Sequence, residues 1–363
     1  MAFEPKGKRW LRVFAAVFGL LLLAAACGDN GGDNGGNGDN GGGNGEGTEE
    51  PGGGGGDPSA PEQTTLRIVV APPEFDSLVD AIWFQKLEEA GITVETVDFE
   101  FGPDTTRALA SGAGAIASTS PTPLMRYIQE AGGGMKIIAA ALLNTDYVLL
   151  TTPDIESAAD LVGKRFGISE PGDISDSTTR LLLDGHPDLD ISEVEIVQIG
   201  GTSDRIAALV AGEISGGPVH AADGLAAAEE AGLVPLINYW EYIPIYAQRF
   251  IVADEQWLGE NPNLAQLAVD SLIEAQREAQ NDKEAFISLS QELIPDMPDE
   301  IRDDVYDFFA DGGFFAVNGG IDAIMPTIEA DLSIGNLEGE LPDQSVWLDT
   351  SFVENYLERE GEV

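Results

Sequence analysis

Residues 193–218 read EVEIVQIGGTSDRIAALVAGEISGGP. An apolar, β-branched run at 193–199 meets the pair Gly200-Gly201, followed by Thr202, Ser203 and Asp204. An alanine- and leucine-rich stretch at 204–211 comes next, then a second short apolar run at 214–218. That order predicts strand, turn, helix and strand, the unit from which parallel α/β sheets are built. Hydroxyl and Asp side chains at the helix start satisfy its first free backbone N–H groups.

The same alternation runs outward in both directions. Upstream, strands are predicted at 65–71, 92–99, 113–117 and 136–143, with helices at 77–89, 104–111 and 121–130. A second series starts near Val148, with strands at 165–168, 193–199, 214–218 and 233–237 and helices at 175–183, 204–211 and 224–230. After a further strand at 246–253 the chain reads as helical to its end. There Leu264, Leu267, Ala268 and Leu272 share one helical stripe, and Phe286, Leu289 and Leu293 another. Three hundred residues are long for one core, so two lobes are expected. The expectation is 64–145 plus 245–363 for the first lobe and 146–244 for the second. The crossings near 143–147 and 239–247 would form the hinge. A ligand then belongs in the crevice at the carboxyl ends of the strands.

Composition narrows the chemistry. The chain has 64 acidic and 18 basic residues, a formal charge of −46, two His (His186 and His220) and a single Cys, Cys27. One Cys excludes an internal disulfide and any multi-Cys zinc or iron–sulfur site. Two His exclude a His-rich metal site, so no metal and no cofactor are expected. Phosphates need Lys and Arg to replace their counterions, so no nucleic-acid partner is expected. A 43% hydrophobic content is still enough for a folded core.

Residues 1–12 carry Lys6, Lys8, Arg9 and Arg12, and an apolar run at 13–23 precedes Ala24-Ala25-Ala26-Cys27. Charged, apolar, then small residues is the order of an export signal, and eleven apolar residues are too few to span a membrane. The Cys after small residues resembles the lipobox of bacterial lipoproteins, although Ala24 replaces the usual Leu. The resemblance implies cleavage before Cys27, lipidation of its thiol and anchorage to the outer face of the cell membrane. The alternative is an ordinary signal peptide with an incidental Cys. Residues 28–63 are Gly, Asn, Asp, Glu and Pro with no apolar side chain larger than Ala60, which predicts a disordered tether. Its reach is roughly 30–36 Å. Removing the signal takes the charge from −46 to −49 with four Lys left, a composition suited to a high-salt habitat or to an acidic extracytoplasmic protein.

Catalytic signatures are thin. There is no Gly-x-Ser-x-Gly elbow and no Walker-type loop. His186 lies in the loop sequence GHPD (185–188), and His220 closes GGPVH (216–220) at a strand end facing the crevice. Three strand-to-helix junctions, at 118–121, 169–176 and 200–204, offer hydroxyls and N–H donors that are either ordinary caps or a grip on a polar group.

Three stretches resemble the nitrate/sulfonate/taurine class of ATP-binding-cassette transporter substrate-binding proteins, which also includes carriers of thiamine pyrimidine precursors. They are ALASG…IASTSP (108–121), DLVGKRFGI running into SEPGDISD (160–176) and GGTSDRIAALVAGEI (200–214). The resemblance covers about residues 64–330. It implies a two-lobed type II periplasmic-binding-protein fold, each lobe a mostly parallel sheet flanked by helices. It also implies a hinge that closes on a solute, delivery to a membrane permease, no enzymatic role and a monomer. Carried over position by position, the pocket draws on Ser118, Thr119, Ser120, Ser169, Ser175, Asp176, His220 and Asp223. Pro73, Glu74 and Asp76, with Trp83 behind them, add one wall, and Tyr239 and Tyr242 another. Glu74, Asp76, Glu170, Asp173 and Asp176 stand where an anion carrier would show Arg or Lys. Trp83, Tyr239, Trp240 and Tyr242 could stack on a ring or a cation. The resemblance implies a small solute, either of the nitrate/sulfonate/taurine type or a thiamine-precursor-like heteroaromatic, and these carboxylates and aromatic rings tilt the expectation toward a neutral or cationic heteroaromatic one. A sensory lipoprotein for a receptor kinase, or an enzyme on the same fold, are the competing readings.

Overall fold

The computed structural model describes residues 59–71, 74–99, 102–187, 194–243 and 245–363. Cys27, Pro73 and nearly all of the expected tether lie outside them. From residue 59 onward the chain forms one compact unit.

Its first half is strand–helix alternation: β1 (Thr65–Val70), α1 (Leu78–Glu89), β2 (Thr93–Asp98), α2 (Gly102–Ala110), β3 (Ile116–Thr119), α3 (Pro121–Ala131) and β4 (Met135–Leu142). A second series follows with β5 (Tyr147–Thr151), β6 (Arg165–Ile168), α4 (Ile174–Gly185), β7 (Glu195–Gln198), α5 (Thr202–Val210), β8 (Gly216–His220), α6 (Ala221–Ala231) and β9 (Val234–Asn238). β10 (Arg249–Asp254) opens a helical remainder: α7 (Glu255–Glu260), α8 (Pro262–Asn281), α9 (Lys283–Leu293), α10 (Asp299–Asp311), α11 (Ile321–Ser333), α12 (Gln344–Trp347) and α13 (Ser351–Glu360).

Two five-stranded sheets result, ordered β2-β1-β3-β10-β4 and β7-β6-β8-β5-β9. In each, four strands share a direction and one runs against both its neighbours: β10 in the first, β5 in the second. The reversed strands are the ones that follow a crossing from the other sheet. A chain arriving from the crevice end enters each sheet from the carboxyl ends of its parallel strands, so it must run backward.

Helices cover both faces of each sheet. In the first lobe, Leu66, Ile68 and Trp83 pack with Leu264, Ala268 and Leu272 of α8, while Val69, Leu124 and Ile137 pack with Ile324 and Trp347 on the other face. The second lobe has its own two clusters around Phe166 and Leu150. β3 is longer at its end than the sequence suggests: Ser118 and Thr119, expected in a loop, are strand residues. The antiparallel partner β10 pairs Ile251 with Ser118 and Phe250 with Thr119, and so extends the strand into the junction.

Candidate functional site

The turn after β1 is fixed at its base. Phe75 is buried against the rings of Phe286 and Phe309. Ser77 Oγ accepts the Glu74 N–H at 2.8 Å and donates to the Glu74 carbonyl. Arg249 at the start of β10 donates from Nη2 to the Asp76 carbonyl and from Nη1 to Asp80, at 2.8 and 2.7 Å. That leaves the carboxylates of Glu74 and Asp76 beside His220, with one donor atom of each of the three within 4.8 Å of the others.

Opposite them stands His220, the last residue of β8. Backbones of β8 and β6 come close because Gly217 has no Cβ; one would lie 2.8 Å from the Gly167 carbonyl oxygen. The His220 ring lies against Tyr147, tilted by 44° with the centroids 4.6 Å apart. Its Nδ1 is 3.0 Å from both carboxylate oxygens of Asp146, and its Nε2 is 3.4 Å from Glu74 Oε2. Asp146 is buried in the first crossing between the lobes and accepts a hydrogen bond from Gln248 Nε2 in the second, at 3.0 Å. Gln248 also donates to Thr145. A continuous chain of polar contacts thus runs from Glu74 through His220 and Asp146 to both crossings.

The electrostatics follow from that crowding. Burial alone would lower the His220 pKa, but the Asp146, Glu74 and Asp76 carboxylates outweigh it and hold the imidazole well above its ordinary value. Loss of hydration raises the Glu74 carboxyl against the pull of His220, and raises Asp76 against the pull of Arg249. Asp223, in the first turn of α6, is pushed up to about 6 by the same loss of hydration and by Glu74. Glu74 and Asp223 reach solvent in the crevice while protein surrounds them, which explains how an accessible carboxylate can also be poorly hydrated. Arg205, the other nearby cation, is engaged by the carbonyls of Pro218 and Gly200 and by Thr202.

The remaining sequence candidates sit elsewhere. Trp83 is not a pocket wall: it is fully buried and its indole N–H donates to the Ala268 carbonyl at 2.8 Å. Tyr239 is likewise interior, its hydroxyl 3.2 Å from Thr179 and its ring against Tyr147. Tyr242 packs on His186, and Trp240 on Phe308 of α10. The 169–176 junction is closed on itself. Asp173 caps α4, accepting the Asp176 N–H and hydroxyl hydrogens from Ser175 and Ser169. Ser175 Oγ accepts the Ser169 N–H, and Asp176 is held by the Gly172 N–H and by Arg180. Ser169, Ser175 and Asp176 therefore act as caps with no group turned to a ligand. At the other junction Thr119 bonds Thr106, Ser120 precedes α3 with no capping bond of its own, and the Ser118 hydroxyl is buried with no partner.

A second polar cluster joins the lobes. Thr122 of α3 and Tyr246 of the second crossing both donate to Asp331 of α11, at 2.5 and 2.9 Å. Ser177 of α4 bonds Thr122 and accepts from Asn336. Burial lifts the Asp331 carboxyl to about 6. Nearby, a cleft of about 310 Å³ opens between Thr106, Arg126 and Tyr127 on one lobe and Glu170, Pro171 and Gly172 on the other. Its arginines are engaged, Arg126 by the Asn336 carbonyl and Arg107 by Asp104.

The sequence model of the family described as NMT1/THI5 like matches residues 83–285, more than half of the chain. The chain belongs to the NMT1/THI5-like family. No curated protein matches it in sequence. Solved structures share its fold. The periplasmic nitrate-binding protein NrtA of Synechocystis PCC 6803 is 14% identical, with 83% of this chain and 90% of that one covered at a TM-score of 0.68. The alkanesulfonate-binding protein SsuA of Xanthomonas axonopodis pv. citri, bound to MOPS, is 17% identical over 80% and 100% of the two chains, at 0.63. The ligand-binding component of an ABC-type import system from Staphylococcus aureus, with zinc bound, is 16% identical over 81% and 99%, at 0.66.

Proposed function

We propose that this member of the NMT1/THI5-like family is the solute-binding lipoprotein of an ABC importer, and that its crevice takes a compact cation. Cys27 carries the lipid, residues 28–63 are the tether, and the lobes present solute to a membrane permease outside the cytoplasm. The family and the shared fold of import-system binding proteins support the transport role.

One observation carries the choice of solute. Glu74 and Asp76 from one lobe face His220 and Asp223 from the other, while Arg249 and Arg205 are engaged by protein groups. The carboxylates of Glu74, Asp76, Asp146 and Asp223 outnumber the single His220 imidazole they surround, so an anion entering this crevice is repelled and a cation is attracted. Trp83 and Tyr239 are interior, and Trp240 and Tyr242 pack on Phe308 and His186, so this reading rests on charge rather than on ring stacking.

The test is thermal unfolding of the mature chain in molar NaCl with each probe in large excess. Tetramethylammonium and a protonated aminopyrimidine should raise the melting temperature, with about 2.7 kcal/mol gained at 100 times Kd. Nitrate, taurine and alkylsulfonates should leave it unchanged. A shift from the anions alone would reverse the assignment.

A further inference from the structure

We propose that Glu74, Asp76 and His220 form a site for one divalent transition-metal ion of the Zn²⁺ class, shared between the two lobes. This rests on the cationic reading of the crevice and names the cation. One donor atom from each residue lies within 4.8 Å of the other two. The pair from opposite lobes, His220 Nε2 and Glu74 Oε2, is 3.4 Å apart. Donors arranged tetrahedrally about 2.1 Å from a zinc ion stand about 3.4 Å from one another, so this edge already has the required length.

The His220 ring supplies the independent sign of a metal site. Asp146, buried and braced by Gln248, meets Nδ1 with both oxygens at 3.0 Å. That contact puts the ring hydrogen on Nδ1 and aims Nε2 at the crevice, the carboxylate–imidazole arrangement that orients a metal-ligating histidine. Backbone bonds from Ser77 and Arg249 hold the turn that carries the two carboxylates. An imidazole nitrogen among the donors favours zinc and its later first-row neighbours over magnesium and calcium. Three protein donors leave a fourth position for water or a solute group.

The experiment uses the mature chain with Cys27→Ser, freed of metal and kept in molar NaCl with millimolar Mg²⁺ to suppress binding to its acidic surface. Titration with CoCl₂ should give one equivalent of bound ion with the intense visible absorption of four-coordinate cobalt. ZnCl₂ should displace it and raise the melting temperature. His220→Ala should lose the absorption. Glu74→Gln and Asp76→Asn should each weaken Zn²⁺ at least tenfold, and Asp146→Asn by about 10–100-fold through misorientation of the ring. Circular dichroism of each variant checks that it is folded. No stoichiometric cobalt in the wild type, or its retention in folded His220→Ala, overturns the proposal. Stabilisation by tetramethylammonium or the aminopyrimidine without any by Zn²⁺ overturns the metal site and leaves the cationic crevice standing. No shift from any cation overturns both.

Discussion

At the scale of single residues, burial and hydrogen-bond partners separate scaffold from site. Trp83 is fully buried and bonded to the α8 backbone, so Trp83→Ala should cost about 3–5 kcal/mol in urea unfolding and leave the affinity of the folded fraction unchanged. Asp331 makes a pH prediction. Its folded pKa of about 6 stands above the ordinary carboxylate value, so between those values the folded state holds a proton that the unfolded chain releases. Stability from this group is therefore present at low pH and lost as pH rises through about 6. Between pH 5 and 7.5 the wild type should lose about 1–1.5 kcal/mol that Asp331→Asn retains, read from urea midpoints of the two proteins. Equal pH profiles would remove Asp331 from the account. That Glu74, Asp76, His220 and Asp223 come near one another was legible in the sequence because they follow strands whose carboxyl ends face the crevice. Asp146 and Gln248 were not. Each is an ordinary polar residue until the two crossings that lead into β5 and β10 meet beside His220, a juxtaposition spanning about a hundred residues of chain.

At the scale of elements, the sequence periodicities located the strands and helices well, because apolar runs and caps are local signals. What they misjudged is decided by distant partners. β3 extends through Ser118 and Thr119 only because β10 pairs with it, and the 169–176 junction proved to be a closed cap because Asp173 gathers its neighbours. Aromatic residues near the lobes read equally well as stacking platforms or as core, and only packing could decide. Arg249 ties elements together, joining β10 to α1 and to the turn carrying Asp76. Arg249→Ala leaves Asp80 buried without its cation and should cost about 3–5 kcal/mol. Adding Asp80→Asn should restore part of that loss; no recovery in chemical denaturation would mean that Arg249 acts chiefly through the Asp76 turn.

At the scale of the whole molecule, charge is the dominant variable. A chain with 64 acidic and 18 basic residues repels itself, and screening shrinks from about 10 Å in 0.1 M salt to about 3 Å in 1 M. The melting temperature should climb steadily over that range, and a flat response would argue against adaptation to high salt. Charge spread over the surface says little about the solute; in the proposed reading, the few carboxylates that converge between the lobes select it. Their effect is tested most directly by neutralising them together. The shift in melting temperature produced by tetramethylammonium in molar NaCl should be clear in the wild type and absent when Glu74→Gln, Asp76→Asn and Asp223→Asn are combined in a folded protein. An undiminished shift in that variant would contradict the cationic crevice.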